Sequence, residues 1–289
     1  ASRISVVSAN PDALAGVDSD RVATFQAASG KAMMKLRQAT QANKVSWTVV
    51  AAAGQDWAQK VFPDASPEEA QDKLWDQIFK TTRIYEEDPV AAWKKHDETL
   101  QVKAEELNKE QFRALHYTAP GTDLISGLPK NHLWEGAGSY NTRNEKFMAN
   151  MPTEEVFTAP DNRRIDGYIS STKPLSYAGT IIPGMKFTFK DGTVVDFSAE
   201  QGEEVLGKLL AIDEGAKSLG EIALVPDPSP IYQSGIIFCN TLFDENASNH
   251  LALGSADAFS FQGGTEMSEE ELAAAGLNRS QTHVDFMVG

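Results

Sequence analysis

The sequence predicts an α/β protein: a partial N-terminal α/β domain, then a mixed, strand-rich α+β domain with a partly open, barrel-like sheet. Two observations support this prediction. Residues 1–118 alternate helical and strand-like patterns, which is typical of an α/β layer. Residues 119–289 are richer in glycine, proline and short alternating runs, which indicate strands and turns. We therefore expect two domains, 1–118 and 119–289.

The first domain is expected to contain two strands and at least three helices. Residues 3–7 predict a short strand, and the apolar, β-branched residues 44–53 predict a buried one. Apolar side chains at helical spacing from Val22 to Leu36 predict a helix. Ser66 and Asp88 are each followed by a proline, which predicts a helix start at both positions.

The second domain begins with strands and ends with a strand. Residues 186–198 form two alternating runs around Asp191-Gly192, which predicts a hairpin with a tight turn. A helix is predicted at 203–218 and a strand at 221–225. Residues 268–275 predict a helix that opens with a capping box.

Composition excludes several classes of partner. The chain has 289 residues, 41% of them hydrophobic, as expected of a folded, soluble protein. Its net charge of −15 argues against nucleic acid or an anionic membrane as partner, because both would repel this surface. No apolar run approaches the roughly 20 residues that a membrane span needs. The single Cys239 excludes an internal disulfide, which suits a cytoplasmic location.

The last strand-like run, HVDFMVG, contains a candidate metal-binding pair. Side chains alternate along a strand, so His283 and Asp285 face one side while Val284 and Phe286 face the other. A histidine and a carboxylate at this spacing can bind one cation or form a hydrogen-bonded pair. The alternative is a surface strand with a polar face.

A second histidine follows an acidic segment. His250 comes after Asp244 and Glu245, and a helix starting near Asn246 would place His250 and Asp257 on one face. The alternative is an ordinary capped helix with a solvated histidine.

Further carboxylates complete the candidate set. Glu154 and Glu155 are adjacent, a pattern that often marks a solvated turn, whereas Glu221 opens an apolar strand and needs a partner or a cation. Nitrogen and oxygen ligands without cysteine suit Zn, Co, Mn or Mg, and a carboxylate-rich set suits two neighbouring cations. Walker, GxGxxG, HExxH and GxSxG motifs are absent, so nucleotide binding and serine hydrolysis lack support.

Four blocks carry a family resemblance: NMPTEEVFTAP (150–160), SLGEIALVPDPSPI (218–231), NTLFDENASNHLALG (240–254) and HVDFMVG (283–289). In order and spacing they resemble the aminopeptidase T/aminopeptidase S/PepS family of thermophilic-metalloprotease-like peptidases. The resemblance spans nearly the whole chain. It implies a metal-dependent aminopeptidase, usually a homodimer, that hydrolyses the N-terminal bond of peptides with a free N-terminus and uses two divalent metal ions (Zn, Co or Mg).

The resemblance also implies roles for individual residues. It places the metal ligands at Glu155, Glu221, Glu245, His250, His283 and Asp285. Glu221 falls on a bridging position. Either Glu154 or Glu155 is the candidate for carrying the proton to the leaving amine. The family is longer at both ends, so we expect the first part of its N-terminal domain and a short tail to be missing here.

Asp257 departs from the family pattern, which has a tyrosine at this position. A phenol can donate a hydrogen bond to a developing oxyanion, whereas an ionised carboxylate only accepts and would repel it. Asp257 could instead be an extra metal ligand. The alternative function is therefore a catalytically weakened metal- or peptide-binding variant. A small-molecule-binding α/β module is a third hypothesis, and it predicts that the six ligand candidates do not cluster.

Overall fold

The structure, a computed structural model, describes residues 2–227 and 229–289 and has the mixed α/β architecture predicted. Within these residues the helices are α1 (Ser19–Gln41), α2 (Gln55–Val61), α3 (Pro67–Thr81), α4 (Pro89–Glu110), α5 (Glu203–Leu210), α6 (Pro230–Ser234), α7 (Thr241–Asp244) and α8 (Glu269–Ala275). The strands are β1 (Ser2–Val7), β2 (Ser46–Ala51), β3 (Ala114–Ala119), β4 (Thr122–Gly127), β5 (Glu135–Gly136), β6 (Gly138–Tyr140), β7 (Lys146–Met148), β8 (Val156–Thr158), β9 (Ile165–Ser170), β10 (Leu175–Tyr177), β11 (Thr180–Ile182), β12 (Lys186–Lys190), β13 (Thr193–Ser198), β14 (Leu219–Leu224), β15 (His250–Gly254) and β16 (His283–Met287).

Two five-stranded antiparallel sheets dominate the second half of the chain. Their strand orders are β13-β12-β9-β4-β3 and β16-β15-β14-β8-β5. Two-stranded sheets are formed by β1 with β2, β6 with β7, and β10 with β11. None of these sheets closes on itself, so the barrel-like element is open. None of the described helices combines the length and the apolar character that crossing a bilayer would require.

The N-terminal helices begin where their capping residues predict. The Ser66 side chain accepts a hydrogen bond from the Glu69 amide at the start of α3, and Asp88 does the same for Ala91 at the start of α4. The expectation of a buried strand at 44–53 is wrong in extent and burial. β2 is shorter and only half-buried, because a two-stranded sheet leaves its outer edges uncovered.

The predicted hairpin and the predicted capping box are both present. Asp191 and Gly192 have positive φ angles of 50° and 84° and connect β12 to β13. Ser268 and Glu271 cap α8 reciprocally. The helix predicted at 203–218 is too long. It ends at Leu210, because Asp213 caps a separate 3-10 turn by accepting the Ala216 amide.

The two large sheets pack through one apolar core. Phe187 of β12 and Phe286 of β16 have ring centroids 4.9 Å apart, and both rings are fully buried. Leu219, Ile222 and Leu251 face the same core from the second sheet. The opposite face of this sheet is therefore free to carry polar side chains.

A second core fixes the segment that precedes β15. The Trp57 indole donates a hydrogen bond of 2.6 Å to the Phe238 carbonyl, and the Phe238 and Phe243 rings stack with centroids 4.7 Å apart. Leu74 of α3 and Ile231 of α6 pack into the same cluster. The segment carrying Glu245 is thus anchored on the helices of the first half of the chain.

Candidate metal centre

The site is built on one face of the sheet formed by β14, β15 and β16. Glu221 pairs with Ala252, and Ala252 pairs with Asp285, so the three residues form one row across three strands. Paired residues point to the same face of a sheet. Glu221 and Asp285 therefore flank the small Ala252 side chain, which leaves space between the two carboxylates.

Alternation along the strands adds three more side chains to this face. His250 lies two residues before Ala252, and His283 lies two residues before Asp285. Phe157 pairs with Ala223, which is on the Glu221 face, and Glu155 lies two residues before Phe157. Five candidate ligands from four neighbouring segments consequently share one face.

His250 is on a strand, so the prediction of a helix shared with Asp257 is wrong. The chain leaves the 3-10 turn Glu245–Ala247 at Ser248, whose φ of −161° and ψ of 170° are extended. The apolar run that follows His250 is buried between β14 and β16. Pairing with strands distant in sequence overrides the local capping pattern.

A bulge at Gly220 directs Glu221 to this face. In an unbroken strand Leu219 and Glu221 would point the same way. The register shifts between them, so Leu219 enters the core while Glu221 faces the site. A Cβ at position 220 would lie 2.3 Å from the Gly254 carbonyl oxygen, so only glycine allows this close strand approach.

The ligand atoms form two groups that share one carboxylate. Glu155, Glu221 and His250 form one group, and Glu221, His283 and Asp285 form the other, with the ligand atoms of each group within 4.8 Å of one another. The two oxygens of Glu221 are divided between them: Oε1 lies 3.6 Å from His250 Nε2, and Oε2 lies 3.9 Å from His283 Nε2. This arrangement is suited to a carboxylate that bridges two cations.

Both imidazole rings present the same nitrogen to the cluster. The Nδ1 atom of His250 lies 3.2 Å from the Ser248 carbonyl oxygen, and Nδ1 of His283 lies 2.8 Å from the Ser255 carbonyl oxygen. A proton on Nδ1 is therefore donated to the backbone, which leaves Nε2 free as a metal ligand.

Among the described residues, three buried atoms of the cluster have no hydrogen-bond partner of good geometry. They are Glu155 Oε2, His250 Nε2 and Asp285 Oδ1. Glu155 Oε2 and His250 Nε2 are 2.8 Å apart, a distance at which the two groups form an ion pair when the ring is protonated. An unsatisfied buried polar group costs about 1–3 kcal/mol, and more if it is charged. A divalent cation in the first group would satisfy Glu155 and His250, and one in the second group would satisfy Asp285, so the residues fit a metal site.

Burial and mutual charge shift the titration of the cluster. Burial raises the pKa of Glu221 to about 7, although His250 and His283 oppose this effect. Burial alone would lower the pKa of both histidines. Nearby carboxylates, Glu155 for His250 and Asp285 for His283, outweigh burial and hold both pKa values well above the ordinary histidine value. A cation must displace the protons held by this cluster, so its affinity rises with pH.

Glu245 lies beside the cluster but in neither of the two groups. Burial, followed by the charges of Asp285 and Glu155, raises its pKa well above the ordinary value. Burial would also raise the pKa of Asp285, but His283 and His250 lower it below its ordinary range. The pKa values of these two neighbouring carboxyl groups are thus shifted in opposite directions.

The cluster faces a cavity of about 1020 Å³. Glu155, Glu221, Glu245, His283 and Asp285 line it, and so do aromatic residues. Two of these, Phe157 and Phe259, meet edge-to-face with ring centroids 6.0 Å apart. A polar floor with apolar walls is typical of a site that binds a small organic molecule or peptide end.

Asp257 lines the same cavity near His283. Burial raises the pKa of its carboxyl, while His283 and Arg279 lower it in part. It precedes a short 3-10 turn and makes no capping hydrogen bond there. The structure thus places Asp257 in the wall of the cavity that the cluster faces.

Glu154 was also predicted as a site residue, but its carboxylate turns away from the two ligand groups. Its oxygens accept hydrogen bonds of 2.8 and 3.0 Å from Arg83, and His96 Nε2 lies 3.4 Å away. Arg83, His96 and the neighbouring Asn246 were not among the site residues predicted from the sequence. Arg83 follows α3 with a positive φ of 61°, and no local pattern distinguishes it. Asn246 directly follows Glu245 in the block ENAS, and this position next to a predicted ligand could have identified it from the sequence.

Acidic and histidine side chains cluster on one face of an open antiparallel sheet. Such a cluster is typical of a metal-dependent hydrolase. The comparisons with known proteins identify its family: the thermophilic metalloprotease (M29) family matches residues 1–289, and the chain belongs to this family. The family membership that the sequence blocks indicated is confirmed. The chain is accordingly a hydrolase of the aminopeptidase class.

Relatives and a solved structure support this membership. Aminopeptidase PepS of Streptococcus thermophilus is 63% identical over 290 residues, covering 100% of this chain and 70% of the relative. Aminopeptidase AmpS of Bacillus subtilis (strain 168) is 59% identical, covering 99% of this chain and 70% of the relative. The solved structure of wild-type AmpT from Thermus thermophilus superposes with a TM-score of 0.90 at 41% identity, covering 100% of this chain and 70% of that one.

Proposed function

We propose that the chain removes N-terminal residues from peptides and uses two divalent cations to do so. The ligands are Glu155, Glu221, Glu245, His250, His283 and Asp285. One observation carries the proposal: the two oxygens of Glu221 face different histidines, so one carboxylate belongs to both ligand groups.

The donor set limits the choice of cation. Glu155 and His250 complete one group around Glu221, and His283 and Asp285 complete the other. These nitrogen and oxygen donors suit Zn, Co or Mg. Glu245 neighbours Asp285 and adds a further carboxylate at the edge of the cluster.

The side chains around the cluster have separate roles in the proposed reaction. When bound, divalent cations polarise the scissile carbonyl group and lower the pKa of a coordinated water molecule towards neutrality. Glu155 is the residue proposed to carry a proton from the attacking water to the leaving amine, because its carboxylate faces the cluster beside His250. Glu154 is unsuited to this step, since Arg83 holds both of its oxygens.

The cavity favours a positively charged peptide end. Its floor carries the carboxylates of Glu155, Glu221, Glu245 and Asp285, with Asp257 beside them. A carboxylate of this floor that does not hold a cation can pair with a free α-ammonium group, which the middle of a peptide chain lacks. The proposed substrate is therefore a peptide with a free N-terminus.

Asp257 supports a second candidate function, a catalytically weakened metal- or peptide-binding variant. It stands where the family resemblance implies a tyrosine, and it lines the cavity. A carboxylate cannot donate a hydrogen bond to a developing oxyanion. Loss of one such donor typically slows turnover about a hundred- to thousandfold.

Three further proposals come from the sequence: the location from the single cysteine, the dimer from the family resemblance, and the domain boundary from the change of pattern near residue 118. The chain acts in the cytoplasm, forms a homodimer, and divides into an N-terminal domain up to residue 118 and a catalytic domain from 119. Sedimentation analysis tests the dimer, because a monomeric mass at micromolar concentration would contradict it. Limited proteolysis tests the boundary, and cleavage at sites unrelated to residue 118 would contradict the division.

Metal counting and a hydrolysis assay test the proposed function together. The full chain is titrated with Zn²⁺, Co²⁺ or Mg²⁺, and hydrolysis of an amino-acid p-nitroanilide is followed with and without chelator. Two bound ions with chelator-sensitive turnover support the aminopeptidase. Two bound ions without turnover support the weakened variant. A chain that binds no divalent cation contradicts both.

A further inference from the structure

We propose that Arg83, Glu154 and Asn246 are positioning residues that hold Glu155 against His250 and tie it to the Glu245 segment. This inference rests on the proposed function, in which Glu155 and Glu245 are metal ligands. It gives a role to a buried ion pair that the reaction itself does not use. It also makes Arg83, which follows α3 in the first half of the chain, a support of the metal centre, although Arg83 is not a ligand.

The Glu154 carboxylate is fixed on one side by Arg83. The two side chains form paired hydrogen bonds of 2.8 and 3.0 Å, and Glu154 is only 3% exposed. The Arg83 guanidinium lies 5.0 Å from the centroid of the Trp93 ring, which restricts its orientation further. A planar guanidinium with two hydrogen bonds fixes both the position and the direction of its carboxylate.

His96 of α4 holds the same segment from a second direction. Its Nε2 atom lies 2.8 Å from the Thr153 carbonyl oxygen and 3.4 Å from Glu154 Oε2. The backbone at Thr153 is thus anchored on α4, and the Glu154 side chain lies beside the same ring. The hydrogen bond needs only the neutral ring, with its proton on Nε2 donated to the carbonyl.

Asn246 connects the two ligand-bearing segments. It is fully buried, and its Oδ1 accepts the Glu154 amide at 2.6 Å. Its Nδ2 donates to the Leu242 carbonyl at 3.0 Å and lies 3.4 Å from Glu245 Oε1. One amide side chain therefore ties the backbone before Glu155 to the segment that carries Glu245.

These contacts hold a segment that precedes the strand ladder. Residues 153–155 come before β8 and lie outside regular secondary structure. Arg83 and Asn246 fix residue 154 through its carboxylate and its amide. At the next residue, Glu155 Oε2 lies 2.8 Å from His250 Nε2. The clamp, defined as Arg83, Glu154 and Asn246, thus determines where this ligand sits.

Histidine ring spectra of the full chain test the clamp before any cation is added. The chain has five histidines, so the His250 ring signals can be assigned with a His250→Ala variant. We expect Glu154→Gln and Asn246→Ala to shift the His250 signals. Asp161→Asn is the matched control, because Asp161 is also a buried carboxylate paired with two arginines, Arg163 and Arg164. Unchanged His250 signals in both clamp variants would overturn the proposal.

Cation titration of the same variants gives the second measurement. Loss of a residue that orients a metal ligand typically lowers metal affinity about ten- to hundredfold. We expect this loss for one of the two cations in Glu154→Gln and Asn246→Ala. In Asp161→Asn we expect unchanged affinities, even where its melting temperature falls as far as that of the clamp variants. Arg83→Lys is a milder variant for use if the others do not fold. It loses the paired hydrogen bonds but keeps the positive charge.

The two measurements separate this proposal from the proposed function. If the unmodified chain binds fewer than two cations, the two-ion proposal fails, while the His250 ring signals still decide whether the clamp exists. If the unmodified chain binds two cations and the clamp variants bind both as tightly, the clamp is contradicted and the two-ion proposal stands.

Discussion

Glu221 and Asp285 face each other across Ala252, in one row that runs through three antiparallel strands. The side chain between them is only a methyl group, so the space between the two carboxylates stays open. The distance between the carboxylates is therefore a property of the strand register. A change at position 252 tests the site without removing any ligand.

Replacement of this alanine by a larger residue is expected to abolish cation binding. In Ala252→Leu the added carbon atoms would occupy the space between Glu221 and Asp285, and overpacking should lower the free energy of unfolding by about 1–3 kcal/mol. Isothermal titration with Zn²⁺ measures the binding. Leu251→Met on the core face is the control. Equal binding by both variants would contradict the placement of Ala252 between the two carboxylates.

Removal of the bridging charge should reduce the number of bound cations. In Glu221→Gln we expect at most one bound ion instead of two, because the amide cannot bridge as a carboxylate does. Elemental analysis after equilibration with excess Zn²⁺ gives the count. A variant that still binds two ions would show that Glu221 is not shared.

Stability of the cation-free chain should fall as pH rises. Burial raises the pKa of Glu221 from its ordinary value of 4.5 to about 7 in the folded chain. The folded state therefore keeps a proton that the unfolded state has released, so the stabilisation is present at low pH and is lost as pH rises through about 7. The raised pKa values of His250 and His283 act in the same direction.

Thermal unfolding in chelator measures this dependence. We expect a lower melting temperature at about pH 8 than at about pH 6, and a smaller difference in Glu221→Gln. Added Zn²⁺ should reverse the order, because cation binding is favoured when the cluster has lost its protons. A melting temperature that rises with pH in chelator would contradict the protonation proposed for the cluster.

Removal of the proposed histidine ligand His250 should reduce both the number of bound cations and the turnover. His250→Ala is expected to lose the cation held by Glu155 and Glu221, because Nε2 is its nitrogen donor. His116→Ala is the control, since His116 forms an exposed pair with Asp123 at 2.7 Å, outside both ligand groups. Equal cation counts in the two variants would rule out His250 as a ligand.

Asp257→Tyr separates the two candidate functions. If Asp257 weakens the site, the variant should gain about a hundred- to thousandfold in turnover, because the phenol restores an oxyanion donor. The number of bound cations should stay the same. Turnover of a p-nitroanilide under single-substrate conditions gives the comparison. A fall in turnover would show instead that the carboxylate itself takes part in the reaction.

The sequence predicted those parts of the molecule that depend on local patterns. The alternation in HVDFMVG placed His283 and Asp285 on one face and Phe286 in the core, and the structure has this arrangement. Capping residues gave the starts of α3, α4 and α8. The family blocks then supplied Glu221 and Glu245, which no local pattern joins to the histidines.

Features that depend on distant contacts were not predictable. The acidic segment before His250 resembles a helix start, yet pairing with β14 and β16 makes residues 250–254 a strand. The bulge at Gly220 depends on how closely β14 approaches β15 at Gly254. The ion pair of Arg83 with Glu154 joins residues 71 positions apart, and no spacing rule connects them.

The division of the Glu221 oxygens between two histidines has a consequence for metal occupancy. Once the first cation binds this carboxylate, less negative potential remains for the second, and the two cations also repel each other. We expect one tightly held ion and one that exchanges with the surrounding solution. The free metal concentration of the cell would then regulate how many chains are fully loaded at any moment.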